Sequence, residues 1–192
     1  MRPRFIFLVF LVLVISAPMA HAQDRGGFTF IMTLGYGLQS GGEIKVGDYY
    51  GSGNARTYGG GTYSSLAGLN LGIGGFVAND TALMLRLSGT DFTAKYLDEG
   101  YSENETDVVS GVAVLGVQHW ATDRFNWEAG AGYGIFSWED HDEMGVGFML
   151  GAAYSFYQNG KVNLQLGIED ALVTGHAQTV NSLGFCFGFQ VM

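Results

Sequence analysis

The chain holds a single cysteine, Cys186. No internal disulfide can form, which excludes a small secreted scaffold stapled by disulfides. Basic residues are also scarce, with 9 Lys and Arg against 18 Asp and Glu and a net charge of −9. Such a surface repels polyanions and argues against a nucleic-acid partner. Past the first residues there is no apolar run approaching the roughly 20 positions that a spanning helix needs, so an α-helical membrane protein is not expected. Proline occurs twice and glycine 31 times. Most of the glycines stand inside alternating segments and not in a linker, so the excess is not low-complexity disorder.

What is present begins with an export signal. Arg2 and Arg4 precede the apolar run Phe5 to Ile15, and Ala20-His21-Ala22 supplies a small-residue cleavage site. The run is too short to span a bilayer, and the pattern is that of a secretory signal peptide over 1–22. Residues 23–192 then form one domain, exported through the Sec pathway.

In that domain the dominant signal is alternation. Leu183, Phe185, Phe187, Phe189 and Val191 share one face of a strand, with Ser182, Gly184, Cys186, Gly188 and Gln190 on the other. Similar rows run through Phe28 to Leu38 and Val146 to Phe156. Eight strands are expected, near 28–39, 65–77, 82–93, 108–121, 124–137, 144–157, 161–171 and 179–191. Tight turns at Ala78-Asn79-Asp80-Thr81, Ala121-Thr122-Asp123-Arg124 and Gln158-Asn159-Gly160-Lys161 alternate with longer links near 40–64, 94–107, 138–143 and 172–178. A chain this short has only lipid to cover so much apolar surface. The fold expected is all-β, an eight-stranded antiparallel transmembrane β-barrel in up-and-down order, in a Gram-negative outer membrane. Trp120, Phe125, Trp127, Trp138, Tyr154 and Tyr157 are candidates for its interfacial aromatic girdles.

The segment 116–134, G-V-Q-H-W-A-T-D-R-F-N-W-E-A-G-A-G-Y-G, and the closing strand together resemble the small eight-stranded outer-membrane barrels, the group of the OmpA transmembrane domain, OmpX and OmpW-like proteins. The resemblance covers the mature chain. It implies that Ser182, Gly184, Phe187 and Phe189 form the signal read by the barrel assembly machinery, with periplasmic chaperones as transient partners. Here Gln190, Val191 and Met192 follow the last Phe, whereas the family commonly ends on Phe or Trp.

Strand parity turns Arg86, Glu128, Gln165 and Glu169 inward, together with Thr33, Asn70, Ser88 and Asn163. An eight-stranded interior is narrow enough for these groups to hydrogen-bond one another. An unpaired charge there is costly, so Arg86 is expected to pair with Glu128 or Glu169. His119 is inward if the turn at Thr122-Asp123 has two residues, and outward if it has three, when Val109, Ala113, Leu115 and Val117 face lipid and Gln118 faces in. Glu139, Asp140, Asp142 and Glu143 make an acidic surface loop around His141, and Asp98, Glu99, Glu103, Glu105 and Asp107 make a second. Neither has calcium-loop spacing, and no metal site is assigned. Gly130 to Gly134 is Gly-rich but lies within a strand, so no cofactor site is assigned. No His and Ser stand two apart, as they do in barrel deacylases, and no catalytic residue is assigned. Cys186 is expected to pack inward as a small apolar group.

The function expected is structural or interactive: a barrel with a filled lumen, set among outer-membrane lipid and lipopolysaccharide, displaying acidic and Gly/Tyr-rich loops to an extracellular partner. The alternative is a narrow, OmpW-like channel or transporter for small apolar or amphipathic molecules. A lipid A-modifying enzyme ranks below both.

Overall fold

A computed structural model of the chain describes residues 25–41, 60–97, 103–138, 141–175 and 179–192. The expected signal peptide, together with Asp98, Glu99, Glu139 and Asp140 of the acidic segments, lies outside the described residues. Eight strands are seen among them: β1 (Phe28–Gly41), β2 (Gly60–Ala78), β3 (Thr81–Leu97), β4 (Glu103–Trp120), β5 (Phe125–Trp138), β6 (His141–Asn159), β7 (Val162–Thr174) and β8 (Thr179–Val191). Each pairs antiparallel with its chain neighbours, and β1 closes on β8.

The ladder fixes the shape of the barrel. Crossing strand to strand from Ile31 through Gly72, Arg86, Val114, Gly132, Gly147, Val173 and Val180 leads back to β1 at Gly41, ten residues beyond the start. An offset of that size over eight strands tilts them by roughly 40° and leaves an interior that side chains fill. Outward rows such as Leu83, Leu85 and Leu87 are large and exposed, while Met84, Arg86 and Ser88 between them are buried. Bulky apolar side chains outside and polar ones inside invert the plan of a soluble barrel. Hydrocarbon is the medium that such a wall fits.

The turn after β4 settles the orientation of that strand. Thr122 Oγ1 accepts the N–H groups of Arg124 and Phe125 at 3.2 and 2.9 Å, and Thr122 N donates to the Phe125 carbonyl. With Trp120 paired to Asn126, an odd number of residues lies between them. Val109, Ala113, Leu115 and Val117 therefore face out, and Gln118 faces in. His119 is outward, packed against Trp127 with ring centroids 5.5 Å apart.

Three sequence expectations are corrected. Trp120 belongs to no girdle: it points inward and is 2% exposed, whereas Phe125, Trp127, Tyr154 and Tyr157 remain on the outer wall. The strands run past the apolar rows, since a ladder continues wherever backbone pairs, as β3 and β4 do up to Leu97 opposite Glu103. For the same reason Asp142 and Glu143 are strand residues of β6 and not loop residues, and Glu103, Glu105 and Asp107 lie in β4.

Candidate functional site

The interior is stacked in polar layers, and a charged one lies near the middle. Arg86 on β3 is 1% exposed, and its Nη2 lies 3.0 Å from Glu128 Oε1 on β5 and 3.0 Å from Glu169 Oε2 on β7. The three alternate strands bring these side chains together because inward parity recurs at every second residue of each. One cation thus faces two carboxyl groups in a space largely shut off from bulk solvent. Arg86 Nε and Nη1, Glu128 Oε2 and Glu169 Oε1 have no hydrogen-bond partner. All three residues line a void of about 20 Å³, room for about one water molecule.

Below, toward the turn end, lies a layer of amides. Gln190 donates through Nε2 to Gln118 Oε1 at 2.7 Å and to Thr29 Oγ1 at 2.9 Å. Gln118 donates to Asn126 at 3.2 Å, and Asn126 reaches Gln165 at 3.5 Å. Above the charged layer, Thr90 shares a hydroxyl bond of 2.8 Å with Ser110 and approaches Ser182 at 3.4 Å. Asn70 Nδ2 lies 3.9 Å from the buried Cys186 Sγ. Ser88 is buried here as well and Thr33 at the level of the charged void, while Asn163 is buried at the turn end, its Nδ2 3.7 Å from Met192 Sδ. The void at this upper level is about 10 Å³.

Arg25, just ahead of β1, spans the mouth at the turn end to the β4–β5 turn. Its guanidinium sits 4.1 Å over the Trp120 ring and donates to the Asp123 carbonyl at 2.9 Å, an acceptor shared with Gln158 Nε2 at 2.7 Å. Burial pulls the Arg25 guanidinium below its ordinary range, and Asp123 and Asp80 work against that shift. Replacing Arg25 with Ala removes a cation–π contact and a charged hydrogen bond. The expected result is a loss of about 1–3 kcal/mol of unfolding free energy in urea titration of the folded barrel.

Sequence parity placed Arg86, Glu128, Gln165 and Glu169 on inward faces, and the structure brings Arg86, Glu128 and Glu169 into one cluster with Gln165 beside it at the same void. Ser182 and Gly184 are buried on the inner wall of β8, with Phe187 and Phe189 on its outer wall, where Phe187 stacks on Phe156. Asn126 was missed, although it shares the parity of Glu128. Arg25 carried no periodic signal because it precedes the first strand. Among the described residues no group of three or more His, Cys, Asp or Glu side chains could hold a metal ion.

No protein-family model and no curated protein matches the chain. Solved structures do match its fold. The attachment invasion locus protein Ail of Yersinia pestis, solved with the heparin analogue sucrose octasulfate, superposes with a TM-score of 0.55 at 13% identity, covering 86% of this chain and 99% of Ail. The outer membrane protein OprG of Pseudomonas aeruginosa gives a TM-score of 0.54 at 14% identity, covering 89% and 98%.

Proposed function

From a chain with the fold of the small eight-stranded outer-membrane barrels, we propose an outer-membrane anchor whose lumen is a structural plug and whose long loops meet a partner outside the cell. The observation that carries this reading is the charged layer: Arg86 clamped between Glu128 and Glu169 leaves voids of only about 20 and 10 Å³. Layers of amides and hydroxyls on either side obstruct the same axis. Among the described residues these layers narrow the axis to voids of about water size, which suits a barrel that serves as a rigid support. The turn end, where β1 begins and β8 ends, faces the periplasm, and the long connections face outward.

The partner's chemistry follows from charge. Ail was solved with a sulfated sugar analogue, but this chain carries −9 overall, and a polyanion would be repelled. A basic surface, or one bridged by divalent cations such as lipopolysaccharide, suits the acidic ends of β4 and β6. The assembly signal Ser182, Gly184, Phe187 and Phe189 remains part of this proposal, with the barrel assembly machinery as its reader.

The test is single-channel recording of the refolded mature protein in planar bilayers, with heat-modifiable gel migration establishing insertion. The wild type is expected to be silent. Steady conductance steps from wild type would replace the anchor with a channel. Arg86→Ala is expected to open brief cation-selective steps, because Glu128 and Glu169 then line the constriction alone.

A further inference from the structure

The outward row of β7 runs Leu164, Leu166, Ile168 and then Asp170 before returning to Leu172. Asp170 is paired in register with Leu150 on β6 and Leu183 on β8, both exposed on the lipid side. It stands four residues from the loop end of β7, roughly 10 Å below that end for a tilted strand. Outward apolar residues of neighbouring strands, Val146 opposite Thr174 among them, continue beyond its level. A carboxyl group is thus set inside the apolar band. A side-chain hydrogen bond from Asn181, diagonally across on β8, reaches this carboxyl group, while its Oδ1 is buried with no partner among the described residues.

An ionisable side chain on a lipid-facing wall is disfavoured unless something meets it. Acyl tails offer no donors. The Asn181 amide brings two N–H groups and a carbonyl, and the contact with Asp170 uses one N–H. The patch therefore holds a needy acceptor and a spare donor side by side, ringed by Leu150, Leu172 and Leu183. That arrangement is self-complementary: under a two-fold rotation each acceptor meets the other copy's donor.

We propose that the β6–β8 wall is a contact surface for a second copy of this chain, with Asp170 and Asn181 exchanging hydrogen bonds across a two-fold axis in the membrane. The carboxyl torsion of Asp is broad, so Oδ1 turns toward an incoming amide at little cost. Hydrogen bonds between membrane segments are individually modest, but two related by symmetry act together, and the aliphatic ring excludes water and headgroups from them. The inference rests on the membrane reading of the outer wall and goes beyond the anchor role.

The test measures energy transfer between donor- and acceptor-labelled copies in phospholipid vesicles as the protein-to-lipid ratio is varied. The label is carried on Asn159→Cys, in the β6–β7 region at the turn end, in a Cys186→Ser background. Heat-modifiable migration is checked first. Failure at that step counts against the membrane reading and is distinct from failure to associate. Transfer above the random-encounter level is expected for the parent, with association weakened about tenfold in both Asp170→Leu and Asn181→Leu. Leu85→Ala on the far wall is expected to leave it unchanged. Asp170→Leu places an apolar group in lipid and should fold at least as well as the parent. Random-level transfer in the parent overturns the proposal, as does association that Asp170→Leu leaves intact. Loss of a co-purifying lipid in Asp170→Leu without any change in transfer also overturns it and assigns the patch to that lipid.

Discussion

Arg86→Met is expected to destabilise the barrel by about 3–5 kcal/mol, measured as urea unfolding of the refolded protein in lipid vesicles followed by tryptophan fluorescence. The size comes from what is left behind. Arg86 Nη2 lies 3.0 Å from a carboxylate on either side. Without it Glu128 and Glu169 face each other in a closed, low-dielectric layer with no counter-charge. Most of the amides on one side and the hydroxyls on the other are engaged with one another, which leaves Gln165 Nε2, unpartnered at the same void, as a neutral donor and no cation to replace the guanidinium. Removing one carboxylate has a different consequence. In Glu128→Gln Arg86 keeps its pair with Glu169 and a polar group of the same shape stays in place, so a cost under about 1 kcal/mol is expected. The combined Arg86→Met, Glu128→Gln, Glu169→Gln variant should recover most of the loss of Arg86→Met. If that triple variant is as unstable as the single one, the cluster holds the fold by packing and not by charge.

The same cluster shows how far the sequence could be read. Inward parity of β3, β5 and β7 follows from outward rows that are apolar apart from Asp170 in β7, and a one-residue slip would have turned Arg86 into lipid. No such constraint fixed β4, where Val112, Val114 and Val117 put apolar groups on both faces. There the register depended on the 121–124 turn, whose Thr122 hydroxyl accepts two backbone N–H groups. Side-chain bonding of that kind leaves no periodic trace. Strand ends were also out of reach, because beyond the hydrocarbon the ladder persists without any apolar pattern: Lys95 opposite Glu105 pairs in register as regularly as Leu85 opposite Leu115. Trp120 read as an interfacial aromatic on composition, while its position under Arg25 depends on a residue outside every strand. Asp170 was legible as an outward position of β7, and its isolation among Leu150, Leu172 and Leu183 emerged only from the cross-strand register.

A substitution on the inner wall tests the narrowness on which the plug depends. Gly132→Val is expected to prevent closure of the barrel, seen as loss of the heat-modifiable species on refolding. A side chain at Gly132 would meet the Ala113 carbonyl oxygen, with Val114 Cα 2.9 Å away. Both are backbone atoms of β4, held by the ladder to β3 and unable to yield as a flexible side chain would. Overpacking of an ordinary core costs about 1–3 kcal/mol because neighbours repack. Here the obstruction falls on the strand pairing itself, Val114 opposite Gly132, and the cost should exceed that range. Gly75→Val supplies the contrast from the outer wall, where an added Cβ has only the Gly27 carbonyl oxygen at 3.6 Å and the new methyl groups enter lipid. That variant is expected to fold with unchanged or slightly raised stability, since a β-branched residue suits an outward strand position better than glycine does. Refolding of Gly132→Val to a heat-modifiable barrel with wild-type stability would mean that β4 and β5 can separate without opening the ladder, and that the lumen is wider than its voids indicate.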